Sequence, residues 1–406
     1  MRKLSSRFSL AWRPHQPRGK DSAVTTSIET LLPEEMLKRF RSRAAGYDER
    51  NEFFTEDLEE LKNAGYLRML VPEEFGGHGL SLKEATRAQR RLAGAAPATA
   101  LGINMHQVIV ALAYTLWLRG RSELNWVFDA AVDGEIFAFG ISEAGNDAVL
   151  FDSVTTAEKV YGGGYRLTGT KIFTSLSPVW SKLLVHARTP DDQLAFGFID
   201  RQDEGVEIRN DWDTLGMRAT QSCTTHLNEV FLPEKKIGTH APLGPNMNPL
   251  VFGIFGPFEL LLASVYTGIG ERAVELASEI VAQRMSRAKQ QPYAQDPDIR
   301  FQIAEAGILT DGSVLQLDKL ADDVDHLFEV DHGTKWLLHF SGVKHRCVEA
   351  AKEAVEIALR TTGGAQYFRS SELQRLYRDV IAGIYHPSDS ESVHASYAKA
   401  LLGPID

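Results

Sequence analysis

The chain has 406 residues, 43% of them hydrophobic and 24% charged, with a formal net charge of −10. This is a globular composition with length for two or three domains, and an acidic balance without a basic face argues against nucleic acid as a partner. The two cysteines, Cys223 and Cys347, are too few for a disulfide framework or a thiolate zinc site, so a reducing compartment and no metal are expected.

The opening stretch MRKLSSRFSLAWRPHQPRGK is basic, serine-bearing and free of acid. A transit peptide has this texture, and so has a flexible tail. Residues 1–29 are read as a tail, which implies a cytoplasmic protein, with the mitochondrial matrix as the alternative. Residues 30–133 read as an N-terminal helical domain, with apolar residues at three- and four-residue spacing. Thr55 is the expected N-cap of TEDLEELK, and Ser81 with Glu84 forms a capping box for the next helix. ATALGINMHQVIVALAYTLWLRG is the most apolar helix of this part.

At Gly134 the texture changes. Residues 134–245 are short β-branched or aromatic segments separated by turn residues, which predicts a small barrel or sandwich. DSVTTAEKV-YGGG-YRLTGTKIFTS is a hairpin whose turn is Gly162–Gly164. Residues 246–406 return to long helices, at roughly 257–288, 297–327, 333–361, 371–383 and 389–402, which reads as a four-helix bundle. No apolar run is expected to span a bilayer. The nearest, PLVFGIFGPFELLLASVYTG, contains Pro257 and Glu259 and reads as a buried helix starting at Pro257. The expected fold class is therefore α+β: helical domain, β domain, helical bundle.

Five stretches in this order resemble the acyl-CoA dehydrogenase superfamily, which includes a flavin-dependent monooxygenase branch. They are LKNAGYLRMLVPEEFGGHGLS, FAFGISEAGND, YRLTGTKIFTSLSP, LGMRATQSCTTHLNEVFLPEKKI and GGAQYFRSSELQRLYRD. The resemblance implies bound FAD, or in the monooxygenase branch reduced FMN or FAD supplied by a reductase. It further implies a homotetramer or homodimer, an acyl-CoA or other acyl or aromatic substrate, and electron-transfer flavoprotein or a flavin reductase as partner; for the dehydrogenases it implies fatty acid metabolism. No GxGxxG follows a predicted strand, so a Rossmann fold is disfavoured.

By the same resemblance Ile141 and Ser142 lie along the flavin edge, Phe173 covers the ring and Ser175 donates to N5. Gly363 and Gly364 reach the pyrophosphate of a neighbouring subunit's flavin, with Arg284 near a phosphate; from the residues alone, Gly363-Gly364 is equally a helix C-cap. Two departures weaken this part. Arg360 stands where the family has Gln, and Arg284-Met-Ser-Arg287-Ala lacks the family's Phe. Arg218, in the GMRAT turn, either faces the site or lies on an exposed turn.

The family's base loop reads IYEGT; here it reads Ile384-Tyr385-His386-Pro387-Ser388. Dehydrogenation of an acyl thioester needs a base within hydrogen-bond reach of the α-proton, with a pKa raised by burial. Glu259 is the leading candidate, although counting back from Gly268 puts the family's alternative base position on Phe258. Glu391 is better explained as part of a capping box Ser388–Glu391. His386, with His106 further upstream, matches the histidines around the flavin in the monooxygenase branch. Dehydrogenation is the leading reading, oxygen-dependent monooxygenation the second, and a non-catalytic acyl-binding scaffold the third.

Overall fold

The computed structural model describes residues 27–405, so most of the expected tail and the targeting question lie outside the described residues. The first region is α1 (Ile28–Leu31), α2 (Glu34–Arg50), α3 (Thr55–Asn63), α4 (Leu82–Ala93), α5 (Pro97–Leu118) and α6 (Trp126–Val132). Ser81 and Glu84 form the expected capping box on α4. Thr55 is the first residue of α3 and Phe54 its cap, so the helix starts one residue before the expected place. Gly102 lets α5 approach Phe54: a Cβ there would lie 2.4 Å from the ring.

Eight strands follow: β1 (Phe137–Gly140), β2 (Thr156–Lys159), β3 (Tyr165–Lys171), β4 (Lys182–Arg188), β5 (Gln193–Asp200), β6 (Val206–Ile208), β7 (Thr225–Leu232) and β8 (Ile237–Pro242). They form one sheet in the order β6-β7-β3-β2-β4-β5-β8, with β1 added in parallel on β4. The β2–β3 hairpin turns through Gly162, Gly163 and Gly164, all at positive φ, which is why glycine stands at each position.

The second helical region is α7 (Pro249–Gln283), a two-residue ribbon β9 (Met285–Ser286) with β10 (Gln291–Pro292), α8 (Pro297–Asp325), α9 (Trp336–Thr362), α10 (Glu372–Ile381) and α11 (Ser390–Leu402). The α+β class expected from the sequence is the one observed. The start of α7 is a correction: Pro249 is its first residue, and Pro257 lies inside the helix. A proline there loses one backbone hydrogen bond. Packing holds the helix through it, because Gly253 admits Leu112 of α5 and Gly256 admits Phe340 of α9. The expectation about apolar runs also changes. α5 and α7 are both long and apolar enough to cross a membrane, but 89% and 94% of those stretches are buried inside the protein.

Candidate active site

Where the helical region, the sheet and the bundle meet, there is a cavity of about 850 Å³. Its walls come from Leu101 and Met105 of α5, Phe139 and Ser142 at the end of β1, Phe173 and Ser175 after β3, the turn 212–222, Phe258 of α7, and Tyr385 and His386 between α10 and α11. Residues distant in sequence thus converge because β1 and β3 end at the same rim, facing α7.

The wall after β3 is strained and rich in hydroxyls. Phe173, Leu176, Met217 and Gln221 all take positive φ, between 44° and 66°. Such backbone costs free energy and persists only where the surroundings impose it. Phe173 stays half exposed at 56%, edge-on to Trp212 at 6.0 Å between ring centroids. Trp212 Nε1 is buried without a partner. Ser175 Oγ lies 2.7 Å from Ser222 Oγ, and Ser222 Oγ lies 2.7 Å from Thr220 Oγ1. Thr220 in turn donates to the carbonyl of Met217 at 2.9 Å. The Met217 N–H donates to Asp379 Oδ1 of α10 at 2.6 Å. Burial raises Asp379 to about 6, against the hydrogen bond from Met217. Gly216 is obligatory here: a Cβ would sit 2.1 Å from the Arg378 carbonyl oxygen.

Ser142 is followed by Glu143, which anchors the rim. Its carboxylate accepts from Thr155 N and Ser153 Oγ at 2.9 Å each, and from Lys171 Nζ at 2.7 Å. Both side chains of the Glu143–Lys171 pair are fully buried. Burial opposes the charge on Glu143, but Lys171 and the hydrogen bonds prevail and hold it down to about 2. Burial also pulls Lys171 down to about 8 in spite of Glu143. The two partners thus disagree about what the pair contributes: the carboxylate gains and the ammonium loses. We take the net contribution as near zero, as is usual for buried pairs, with a large cost for breaking one side.

The loop after α10 carries His386 into the cavity wall. Lys344 of α9 is buried beneath it and donates to the carbonyls of Gly383 and His386 at 3.0 Å each, and of Ser388 at 3.2 Å. The His386 ring stands edge-on to Tyr266, with Nδ1 3.5 Å from the tyrosine oxygen. Burial and the Lys344 charge push His386 down to about 3. The imidazole is therefore neutral at neutral pH.

Glu259 is fully buried and is not part of the cavity wall; its neighbour Phe258 is. One residue on a helix turns a side chain by about 100°, so Glu259 points under the loop, where Ser388 donates to its Oε1 at 2.6 Å. Burial raises Glu259 to about 7, against Lys344 and Ser388. Ser388 therefore does not cap α11. It takes φ 59°, and Asp389 is the cap, accepting from Ser392 N at 2.8 Å. Glu391 lies in the first turn of α11, exposed, at the cavity rim.

Six further expected residues stand elsewhere. His106 is fully buried, with Nε2 2.8 Å from the Leu67 carbonyl and Nδ1 accepting from Phe137 N at 3.2 Å. Both ring nitrogens are used by backbone, burial lowers it to about 4, and it does not line the cavity. Ile141 is a core residue with no exposed surface, leaving Ser142 to face the cavity. Arg284 donates to the Thr362 carbonyl and lies 4.8 Å above the Tyr293 ring. Gly363, at φ 83°, ends α9 beside it, and with Gly364 lines a separate concavity of about 560 Å³. Arg218 is taken up by Asp213 and by the carbonyls of Asp48 and Thr214. Sequence reasoning missed Thr220, Ser222, Lys171 and Lys344. The run Thr220-Gln-Ser222 in the quoted GMRAT stretch was the available signal for the first two.

The arrangement suits a planar aromatic group: hydroxyls and strained backbone on one wall, aromatic rings around it, and a neutral histidine at the loop after α10. The comparisons agree with the geometry. Residues 27–125, 138–230 and 260–390 match the N-terminal, middle and C-terminal domains of acyl-CoA dehydrogenase. A Bacillus subtilis protein assigned to the acyl-CoA dehydrogenases, YdbM, is 28% identical over 379 residues, covering 89% of this chain and 93% of that protein. The dibenzothiophene monooxygenase of Mycolicibacterium goodii is 25% identical over 381 residues, covering 87% and 88%. The structure of KijD3 with FMN and dTDP-3-amino-2,3,6-trideoxy-4-keto-3-methyl-D-glucose superposes with a TM-score of 0.82 at 25% identity, covering 95% and 96%. With its three domains matched in order and its site at their junction, this chain belongs to the acyl-CoA dehydrogenase family.

Proposed function

We propose that the protein is a flavin-dependent monooxygenase that receives reduced FMN or FAD from a partner reductase. The observation that carries this reading is the cavity wall itself. At the helix position where the dehydrogenase reading needs a base, Phe258 faces the cavity and Glu259 is turned away under Ser388. The base loop contributes a neutral His386 instead. Bound reduced flavin supplies the electron pair with which one atom of dioxygen goes to the substrate and the other leaves as water. Ser142, Ser175 and the Phe173–Trp212 pair would hold the ring system, and the apolar wall of Leu101, Met105, Phe139 and Phe258 excludes water from it. His386, neutral, can donate or accept one hydrogen bond at the reacting atoms.

The charge of the wall bears on substrate class. Among the described residues lining the cavity, Arg378 is the cation, and both its Nη atoms are paired with Asp48. Asp147, Asp389 and Glu391 stand at the same wall. This suits an uncharged or cationic aromatic or acyl group beside the flavin. For assembly we propose the homotetramer or homodimer of the family. Phe301, Ile308 and Leu315, exposed at seven-residue spacing on α8, offer a face for it. A cytoplasmic location goes with this reading.

The test is direct. Under anaerobic conditions a panel of acyl-CoA thioesters should leave bound flavin unbleached, and turnover of aromatic or amine substrates should require both reduced flavin and oxygen. Bleaching by an acyl-CoA, abolished in Glu259→Gln, would return the dehydrogenase reading. On the proposed reading Glu259→Gln keeps turnover within a few fold and changes stability instead. The folded value of Glu259, about 7, lies above its unfolded one. Its contribution is therefore full below about 4.5 and fades as pH rises through about 7. Glutamine removes that fade, so the variant's melting temperature should gain on wild type between pH 5.5 and pH 8.

A further inference from the structure

The three hydroxyls of the wall have a direction. Each carries one proton. Thr220 gives its proton to the Met217 carbonyl, which has none to give back. The contact between Thr220 and Ser222 must then use the Ser222 proton, and the contact between Ser222 and Ser175 must use the Ser175 proton. The chain runs Ser175 to Ser222 to Thr220 to Met217, out of the cavity. All three residues are buried, at 6%, 5% and 0% exposure, at the wall of the cavity. Met217 is itself fixed, in a left-handed conformation tied to Asp379. Ser175 is left offering lone pairs to the cavity.

A flavin reports on this direction. Oxidised flavin has a bare, accepting nitrogen at N5; reduced flavin has an N–H there. Resting on the reading that the flavin's reactive edge meets Ser175, we propose that Ser222 and Thr220 are positioning residues. They set Ser175 as an acceptor, and so make the site prefer reduced over oxidised flavin. For Ser175 to donate to the oxidised form, either its contact with Ser222 is left without a proton or the whole chain reverses and the Met217 carbonyl loses its hydroxyl partner. An enzyme that receives its flavin already reduced and releases it oxidised gains from that asymmetry.

The experiment is anaerobic calorimetric titration of the flavin-free, full-length protein with oxidised and with dithionite-reduced FMN, repeated with FAD. Wild type is expected to bind the reduced form more tightly. Thr220→Val keeps shape and removes the end of the chain, so Ser222 can donate to Ser175 and Ser175 to the cavity. The preference should fall about tenfold, the size of one or two hydrogen bonds exchanged. Ser222→Ala should lower it similarly, and Thr220→Ser should restore it. The ratio of affinities is insensitive to a general loss of binding, which moves both forms together. A wild type that prefers oxidised flavin, or a preference unchanged in Thr220→Val and Ser222→Ala, overturns the assignment while leaving the flavin reading intact. Failure of wild type to bind either flavin in either state overturns both.

Discussion

Replacing His386 by alanine is expected to lower oxygen-dependent turnover by about 10²- to 10⁴-fold, the usual range for a positioned proton-transfer or hydrogen-bonding group. Flavin affinity should stay within a few fold, because the hydroxyl wall lies on the segment after β3 and on the turn 212–222, and not on this loop. The loop itself should survive the change. It is held by Lys344 through the backbone carbonyls of residues 383, 386 and 388, and by Ser388 on Glu259, none of which involves the imidazole. The pH dependence separates a neutral role from an acid one. Burial and Lys344 hold the folded value near 3, well below the ordinary 6.5. Between those values the unfolded chain takes up a proton that the folded chain refuses. His386 therefore costs stability as pH falls below about 6.5, and adds no break to the rate profile between pH 5 and pH 8. Glutamine, which keeps a donor and an acceptor, should recover part of the activity. A profile with a break near 6.5 that vanishes in His386→Ala would assign it an acid role and contradict the burial argument.

The legible and illegible parts of this chain divide along a physical line. Periodicity and local turn chemistry are properties of short segments, so the α4 capping box at Ser81, the Gly162–Gly164 hairpin and the order of the three regions could be read directly. Direction around a helix and partners across the fold are not local. Glu259 and Phe258 are adjacent in sequence, and only the packing of α7 against the loop after α10 decides which one sees the cavity. Pro257 carries the same signal at a helix start and inside a helix held by its neighbours. Ser388 and Asp389 are both good caps, and the shift of one residue follows from the demand of Glu259 for a donor. His106 sits in an apolar helix, as a ligand-binding histidine or a core histidine equally would. Its two backbone partners, Leu67 and Phe137, come from elements 39 and 31 residues away. The hydroxyl chain joins residues 47 positions apart, and no spacing rule connects them.

Lys171 shows the same limit with the largest consequence for stability. In sequence it is the last residue of a strand; in the fold it is the counter-charge of the carboxylate that anchors Ser142. Lys171→Met removes the charge at similar volume and leaves Glu143 buried. Breaking one side of such a pair costs about 3–5 kcal/mol, which equilibrium unfolding in urea at pH 7 should register. The donors from Ser153, Val154 and Thr155 remain, so the carboxylate is not wholly abandoned. The pH dependence tests whether charge is the cause. In wild type Glu143 is held near 2, and its contribution is present above the unfolded value of about 4.3 and lost as pH falls through about 2. Without Lys171 the value rises, because burial is then opposed by hydrogen bonds alone. The variant's folded state then takes up a proton on Glu143 more readily than its unfolded state, so its deficit against wild type should shrink as pH falls from 7 towards 4.5. The double variant Lys171→Met with Glu143→Gln should recover part of the lost stability, since a neutral side chain needs no counter-charge and its one oxygen can still accept from Ser153 and Thr155, while its amide nitrogen no longer accepts from Val154. A deficit that is constant with pH, and is not recovered in the double variant, would mean that Lys171 acts through its packing and its bond to the His186 carbonyl, and that the Ser142 corner of the site does not depend on the ion pair.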